Sequence, residues 1–240
     1  MLELRSKEKE QLDNLKICGA QLTKTLDGLS IINRFLGNTN ATFSAVKPIL
    51  IQSETSITII DLGCGGGDNL RKIARWCSQK NIRVRLIGID GNLNILDYAL
   101  DKNTSSLTVE YVQADILSNE FELPYCDILL SSHFIYHFSD SDLVRFLKRS
   151  RPRIKQHIIF SELERNPLAF SLFNVSSLFM PFTKMVKQDG KRAIKRAFKK
   201  PELDSILIKA GFGNYRITRK WAFRLLISID YTSLKSTKTF

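Results

Sequence analysis

Apolar residues between positions 56 and 162 form short runs that alternate with amphipathic stretches. Short apolar runs bounded by turn-forming residues are typical of buried strands, whereas apolar positions three and four residues apart are typical of helices. This pattern predicts strands at 56–62, 83–90, 107–113, 126–131 and 155–162. It predicts helices at 67–79, at about 93–103 and from 139–141 to about 150. Strands and helices that alternate in this order form a parallel, doubly wound α/β sheet.

The first 50 residues follow a helical pattern. Apolar residues recur there at three- and four-residue steps, at Leu12, Leu15, Cys18, Leu22 and Leu26. The Gly-Asn-Thr-Asn sequence at 37–40 breaks the pattern, and a short helix is predicted from there to Pro48. Residues 1–50 are therefore predicted to form an N-terminal helical cap on a domain that spans 51–240.

The regular alternation stops after the fifth predicted strand. Residues 167–182 are rich in Leu, Phe and Met, and 187–200 is a basic run. We interpret about 165–200 as an insertion that adds to the cap. A helix is predicted from Lys200 to Gly211, because Pro201 suits a first helical turn and a glycine suits a helix end. The last apolar runs, 215–221 and 223–230, predict an antiparallel hairpin.

Length and composition exclude several classes of protein. The 240 residues suffice for one α/β domain with a cap. The sequence at 1–10 is too charged for a secretory signal, and no apolar stretch approaches the roughly 20 residues that span a bilayer. A cytoplasmic location is expected. The cysteines show no metal-ligand spacing and there are only three histidines, so no metal site is predicted.

The positive charge is concentrated in the C-terminal part of the chain. The net charge is +12, yet residues 1–147 carry 15 basic and 18 acidic side chains, whereas 148–240 carry 21 and 6. Such a field attracts nucleic acid, an anionic membrane surface or an acidic substrate. Charge alone does not distinguish these partners.

A glycine-rich loop follows the first predicted strand, in the sequence Asp61-Leu-Gly63-Cys-Gly65-Gly-Gly67-Asp68. Glycines between a strand and a helix allow a tight turn and let a ligand lie against the backbone. A dinucleotide-binding loop needs a third glycine where Asp68 stands. The carboxylates of Asp61 and Asp68 would repel a pyrophosphate and attract an ammonium or a sulfonium. The loop therefore favours S-adenosylmethionine over NAD.

Two further acidic residues end the next strands. Asp90 closes the second strand, where a carboxylate can accept hydrogen bonds from both ribose hydroxyls. Asp115 closes the third, where an adenine amino group could bind. A single acid at a strand end is more often a loop cap, but acids at three successive strand ends favour a nucleoside site.

Residues 56–132 resemble the core of the class I methyltransferases. The resemblance lies in the acid-x-Gly-x-Gly-x-Gly motif, in the two later acids and in the stretch from Cys126 to Phe138. The last of these stretches resembles that of small-molecule enzymes of the ubiquinone and menaquinone type, and the whole chain is similar to bacterial methyltransferases associated with type III polyketide synthases. The resemblance implies a mostly parallel seven-stranded sheet of order 3-2-1-4-5-7-6. It implies S-adenosylmethionine binding by Asp61, Gly63, Gly65, Gly67, Asp90, Asp115, Ile116 and Ser131.

Three side chains near the carboxyl edge of the sheet are catalytic candidates. His133 and His137 follow the fourth strand, and Glu162 ends the fifth. His133 is the first candidate for a general base, whereas the family pattern favours a packing role for His137. Each histidine could instead be a hydrogen-bonded structural residue. The apolar stretch 168–182 is interpreted as a cap over a lipophilic pocket, with a homodimer interface as the alternative.

These features predict a methyltransferase for a small lipophilic or aromatic acceptor, with O-methylation of a polyketide- or quinone-like molecule as the specific hypothesis. The basic run 187–200 leaves open an RNA methyltransferase, or contact with a membrane surface. The RNA alternative is disfavoured because the stretch after the fourth strand lacks the Asn/Asp-Pro-Pro-aromatic motif of base-amino methyltransferases. A non-catalytic cofactor-binding protein is the other alternative. The sequence does not identify the acceptor.

Overall fold

The computed structural model describes residues 2–104, 108–180 and 182–231, and these contain a seven-stranded sheet of order β3-β2-β1-β4-β5-β7-β6. Its first five strands are parallel, and β7 runs antiparallel to both β5 and β6. The predicted order is confirmed. The strands are β1 Ile57–Leu62, β2 Val84–Asp90, β3 Glu110–Gln113, β4 Cys126–Ser132, β5 Ile154–Leu163, β6 Tyr215–Lys220 and β7 Arg224–Asp230. The start predicted for β3, Leu107, lies outside the described residues.

The helices pack on both faces of the sheet and over one edge. They are α1 Gly19–Phe35, α2 Asn38–Gln52, α3 Asp68–Gln79, α4 Leu93–Asp101, α5 Asp140–Ser150, α6 Pro167–Phe179, α7 Lys184–Arg196 and α8 Lys200–Lys209. The side chains of β1 show why its sequence is continuously apolar. Ile57 and Ile59 are buried in the core on one face, and Ile60 and Leu62 in the core on the other.

Helix α2 continues past Pro48, where the sequence predicted an end. The two apolar residues on either side of the proline, Val46 and Leu50, are both buried in the core. Proline removes one helical hydrogen bond, but the burial of these side chains keeps the segment helical to Gln52.

The prediction of a helix before α1 is wrong. Residues 2–14 form an extended segment, the N-terminal strap, whose only helical feature is a short 3₁₀ turn at Gln11–Asp13. Outside that turn its backbone bonds to α7: Ser6 N–H donates to the Lys195 carbonyl, and Gln11 N–H to the Asp189 carboxylate. Leu15, which the helical pattern had placed on a buried face, is exposed.

An arginine fixes the strap to the sheet edge. Arg5 donates hydrogen bonds to the backbone carbonyls of Tyr136, Phe138 and Arg196. These carbonyls belong to the turn after β4 and to the end of α7. The strap therefore holds two parts of the cap together.

Candidate active site

A cavity of about 1340 Å³ lies at the carboxyl edge of the sheet. Its floor is formed by the segments that follow β1, β2 and β4, and its roof by the strap, α1, α6 and α7. In the strand order 3-2-1-4, the strands that follow β1 are first added on one side of it and then, from β4 onward, on the other. Open α/β sheets bind ligands at such a switch point.

The glycine loop after β1 has a backbone that only glycine adopts readily. Gly63, Gly65 and Gly67 have φ values of +61°, +52° and +79°. A Cβ atom on Gly63 would lie 2.1 Å from the Phe134 ring, so this glycine is required by close packing. A Cβ on Gly65 would meet no atom within 4 Å, although the residue lines the cavity. Gly65 therefore leaves room for a ligand against the bare backbone.

Asp90 brings a carboxylate to the cavity beside this loop. Gly65 N–H donates to its Oδ2 at 3.2 Å, and Asn92 N–H to its Oδ1 at 3.0 Å. Burial raises the pKa of Asp90 above its ordinary value, and these two backbone bonds oppose that shift. A carboxylate has lone pairs beyond those two bonds and can accept the hydroxyl groups of a ribose. The arrangement fits the nucleoside part of S-adenosylmethionine.

Asp115 and Ile116 also line the cavity. The Asp115 carboxylate accepts the Leu117 N–H at 3.0 Å and is otherwise exposed, whereas Ile116 is buried. A polar group beside an apolar side chain suits the edge and the face of an adenine ring. The structure thus brings Gly63, Gly65, Asp90, Asp115 and Ile116 to one cavity.

The other three predicted cofactor residues, Asp61, Gly67 and Ser131, lie outside the cavity lining. Asp61 and Ser131 are buried, and their side-chain oxygens have no hydrogen-bond partner within the described part of the chain. Burial raises the pKa of Asp61 to about 7, and the charge of Asp90 adds to this, whereas the nearby Asn69 side chain lowers the pKa. These three residues do not line the cavity, and their part in cofactor binding stays a prediction.

His133 follows β4 in a left-handed conformation and lines the cavity. Its Nε2 contacts the guanidinium of Arg224, a completely buried residue at the start of β7. A guanidinium has only donors, so Nε2 accepts and the ring proton is on Nδ1. Burial lowers the pKa of His133 well below its ordinary value, and the charge of Arg224 adds to this. His133 therefore offers the cavity a donor, because its only lone pair is already engaged.

His137 has the opposite arrangement. Its Nδ1 lies 2.6 Å from Oδ1 of Asp13, a residue of the strap, and Oδ2 of Asp13 pairs with Arg196 Nη1 at 2.6 Å. Burial alone would raise the pKa of Asp13, but the hydrogen bonds and charges of His137 and Arg196 lower it to about 2. The ionised carboxylate can only accept, so the proton is on Nδ1 of His137. The Nε2 lone pair of this cavity-lining residue is then available.

Glu162 does not reach the cavity. It is completely buried, and its Oε1 accepts the backbone N–H groups of Phe134 and Ile135 at 3.2 and 3.3 Å. Burial raises the pKa of Glu162 to about 8. The sequence predicted a catalytic role for Glu162. From its position in the structure, Glu162 holds the turn that carries both histidines and does not line the cavity.

Three charged residues of this site escaped the sequence analysis: Asp13, Arg196 and Arg224. Asp13 belongs to a segment that was predicted as part of a helical cap, and Arg196 to a basic run. Only Arg224 carried a signal, since a charge stands there at the start of an apolar strand. A buried charge in such a place needs a partner.

The basic run 187–200 is less available to phosphates than its sequence suggested. Arg192 pairs with Glu8 and Asp189. Arg196 is buried against Asp13, and Lys200 lies 3.4 Å from Asp204. The remaining cations of the run are lysines.

Within residues 2–104, 108–180 and 182–231, no group of three or more His, Cys, Asp or Glu side chains is placed to hold a metal ion. In the same residues, no helix is long and apolar enough to cross a membrane.

Comparisons with known proteins agree with this geometry. Residues 59–157 match the family model of a methyltransferase domain. No curated protein sequence matches the chain. The chain is similar to a solved structure of the plantazolicin methyltransferase BpumL, in complex with a triazolic desmethylPZN analog and S-adenosylhomocysteine. The TM-score is 0.63 and the sequence identity is 16%, over 88% of this chain and 89% of that one. Magnesium protoporphyrin IX methyltransferase from Synechocystis PCC 6803 with S-adenosylhomocysteine gives 0.56 and 14% over 81% and 83%.

At such low identities the solved structures establish the fold, and the domain match adds the activity. The matched residues include the glycine loop, Asp90 and the turn with both histidines, so the match covers the ligand side of the sheet. The expected donor, S-adenosylmethionine, agrees with the loop and the carboxylate described above. Residues 59–157 are thus a methyltransferase domain, and the protein is an enzyme that takes its methyl group from S-adenosylmethionine.

Proposed function

We propose that the protein methylates a hydroxyl group on a small lipophilic or aromatic acceptor. The observation that carries this proposal is a free imidazole nitrogen, His137 Nε2, in a large cavity next to the glycine loop. Methylation of a hydroxyl needs a base for its proton, and a correctly held histidine is the commonest one.

The size and lining of the cavity support a lipophilic acceptor. Sites for one small ligand usually have about 300–1,000 Å³, so a cavity of about 1340 Å³ has room for a cofactor and an acceptor. Away from the glycine loop the lining is rich in aliphatic and aromatic side chains, including Leu29, Leu36, Leu172, Phe173 and Ile194. A polar polymer such as RNA would leave these apolar side chains without apolar partners.

The two histidines of the turn after β4 have distinct parts in this mechanism. Bound S-adenosylmethionine supplies the methyl group. His137 Nε2 takes the proton of the acceptor hydroxyl, and the Asp13 carboxylate stabilises the imidazolium that results. His133 Nδ1–H donates a hydrogen bond that orients an acceptor oxygen. The general base in this proposal is therefore His137 and not His133, which the sequence favoured. Glu162 has a positioning role.

RNA is a weaker candidate as acceptor. Two of the arginines that could follow a phosphate backbone, Arg192 and Arg196, are paired with acidic residues of the strap and of α7. One structural neighbour is named for magnesium protoporphyrin IX, a small molecule, which is compatible with the proposal. The resemblance to polyketide- and quinone-modifying enzymes remains a prediction.

The proposal is tested with deuterated-methyl S-adenosylmethionine and a panel of hydroxylated aromatic and quinol acceptors. We expect a mass increase of one deuterated methyl group on a hydroxyl oxygen, located by fragmentation. Matched acceptors whose hydroxyl groups are already methylated serve as the control and should stay unlabelled. Labelling of total RNA with none of the panel labelled would contradict the proposal.

A second prediction concerns the cofactor. Replacing Asp90 by alanine removes an acceptor of two hydroxyl hydrogen bonds, and we expect a loss of about 2–4 kcal/mol in the binding of S-adenosylhomocysteine. Titration calorimetry measures this directly. Asp97→Ala, at an exposed position on α4, is the matched control and should bind as the wild type does. Wild-type affinity of Asp90→Ala would remove Asp90 from the binding site.

A further inference from the structure

The turn between β6 and β7 carries an exposed tryptophan. Trp221 is 82% exposed, although tryptophan is on average one of the more buried side chains of folded proteins. The same residue lines the cavity at the carboxyl edge of the sheet. A Cβ atom on Gly37 would lie 3.9 Å from Cδ1 of Trp221, so an edge of the indole ring is next to the junction of α1 and α2. Most of the ring surface is left free for a ligand.

The backbone of this turn has an unfavourable conformation. Lys220 pairs with Arg224 across the hairpin, so the turn consists of residues 221–223. Ala222 and Phe223 have φ values of +60° and +55°, in the left-handed region that residues with a Cβ atom seldom adopt. Hairpin turns usually place glycine or asparagine at such positions. Backbone strain of this kind is concentrated at functional sites, where the surrounding structure maintains it.

A glutamate after β5 maintains this conformation. Glu164 N–H donates a hydrogen bond to the carbonyl of Phe223 at 2.7 Å. The carboxylate of Glu164 accepts a hydrogen bond from Nε of Arg219 at 2.9 Å. Arg219 is in β6 and Phe223 directly precedes β7, so one residue holds the turn on both of its sides. The indole of Trp221, which lies between these two contacts in sequence, is thereby kept at the cavity.

The same hairpin contacts one of the two cavity histidines. Arg224, the first residue of β7, contacts Nε2 of His133 and stands three positions after Trp221. In the proposed mechanism, His133 Nδ1–H donates a hydrogen bond to the acceptor oxygen. An acceptor that is held there can extend a ring toward the indole.

We propose that Trp221 forms a subsite of the acceptor, in which a planar aromatic ring stacks on the indole. Aromatic rings pack with offset faces or edge to face, and stacking of the faces requires a flat partner. A saturated ring of the same size would contact the indole without stacking on it. This inference rests on the proposed function and narrows it from lipophilic acceptors in general to planar aromatic ones.

The surroundings of the indole distinguish this ligand from other partners. The face of a tryptophan also attracts cations, but Lys220 is exposed beside it and lines the same cavity, so its charge opposes a cationic ligand. A protein partner is disfavoured because the centres of protein interfaces are depleted in charged residues, whereas Arg219 and Lys220 are both exposed directly before Trp221. An uncharged aromatic ring from the cavity meets neither obstacle.

The test compares two ligands with the same carbon skeleton, 2-naphthol and decahydro-2-naphthol, of which only the first is planar and aromatic. Titration calorimetry with saturating S-adenosylhomocysteine measures both affinities. Trp221→Leu should weaken the binding of 2-naphthol about threefold to tenfold more than that of decahydro-2-naphthol. Trp221→Phe keeps a ring and should retain part of the difference. Tyr125→Ala changes an exposed aromatic residue outside the cavity lining and should bind both ligands as the wild type does.

The two tryptophans of the chain give a second readout, since each indole N–H has its own NMR signal in the isotope-labelled protein. We expect 2-naphthol to shift the signal of Trp221, because a stacked aromatic ring changes the magnetic environment of the indole. Trp76 packs edge-on against Phe43 outside the cavity lining, so its signal should stay in place. The signal that is missing in Trp221→Leu identifies Trp221, and thermal melting checks that each variant is folded.

Four results would overturn the stacking proposal. The first is a Trp221→Leu variant in which the affinities for both ligands change equally or not at all, and the second is a Trp221 signal that 2-naphthol does not shift. The third is single-stranded RNA that binds through Trp221 when 2-naphthol does not, and the fourth is a wild-type dimer that Trp221→Leu dissociates. Binding is measured without methyl transfer, so failure of the proposed function is recognised separately: stacking on Trp221 persists, but no hydroxyl group of the acceptor panel is methylated.

Discussion

Replacing His137 by alanine should lower kcat by roughly 10²–10⁴, the usual contribution of a positioned general base. The loss follows from the geometry of the turn after β4, where the only ring nitrogen held ready to accept a proton is His137 Nε2. Binding of S-adenosylhomocysteine should stay close to wild type, because Gly65 and Asp90 are unchanged. Initial rates on an acceptor that the panel identifies, with titration calorimetry for S-adenosylhomocysteine, measure the two effects separately.

Asp13 is a positioning residue for the same reaction, and Asp13→Asn tests that role. An amide can donate to Nδ1 of His137, which moves the ring proton to Nε2 and removes the base. We expect a loss in kcat close to that of His137→Ala with little change in KM. Asp13→Glu restores a carboxylate and should recover part of the rate, which a purely structural role would not require.

His157 provides the control for both variants. It is a half-buried histidine on β5 near Asp230, and it does not line the cavity. His157→Ala should keep the wild-type kcat. If His137→Ala also kept it, the base would be another group or the acceptor would need none. If His133→Ala alone lost activity, the original assignment from the sequence would stand.

In the proposed mechanism, the pair formed by Asp13 and His137 ties catalysis to the strap. Asp13 reaches His137 only because Ser6, Gln11 and Leu12 bond to α7 and Arg5 holds the turn after β4. The proposed base is therefore complete only when the strap is docked over the cavity. This links closure of the cap to the proton transfer that the proposed reaction needs.

The sheet was predictable because its signals are local. Each buried strand is a short apolar run, and the turns between strands and helices contain glycine, asparagine or serine. The glycine loop and Asp90 were found for the same reason, since their positions relative to β1 and β2 fix where they meet. Asp61 and Ser131 carried the same motif signal, yet they are buried outside the cavity lining, because whether a residue of a motif lines a cavity depends on the direction of its side chain.

The proposed catalytic arrangement was not predictable because the residues that contact each other are distant in sequence. His137 and Asp13 are 124 positions apart, and His133 and Arg224 are 91 apart. The spacing of leucines in the strap even favoured a helix, since the backbone partners that α7 supplies are invisible in the sequence. Without these partners the two histidines look alike, and only the contacts of their ring nitrogens distinguish a donor from a base.

Substitutions at two glycines of the glycine loop should have large and different effects, one on the free energy of unfolding and the other on cofactor binding. Gly63→Ala places a Cβ against the Phe134 ring and keeps a left-handed backbone. Overpacking costs about 1–3 kcal/mol and the backbone about 1–2 kcal/mol, so we expect a loss of roughly 2–5 kcal/mol in the free energy of unfolding. Urea denaturation of the protein without cofactor measures it.

Gly65→Ala is the matched variant in the same loop. Its φ is also positive, but its Cβ would point into open space in the cavity, so only the backbone cost of about 1–2 kcal/mol applies. The added methyl group occupies the space where the cofactor would lie on the loop, and affinity for S-adenosylhomocysteine should fall by more than about tenfold. Wild-type affinity in Gly65→Ala would show that the cofactor does not lie on this loop. Equal unfolding free energies for the two variants would contradict the different surroundings of the two glycines, because the backbone cost is common to both and only Gly63 faces a ring.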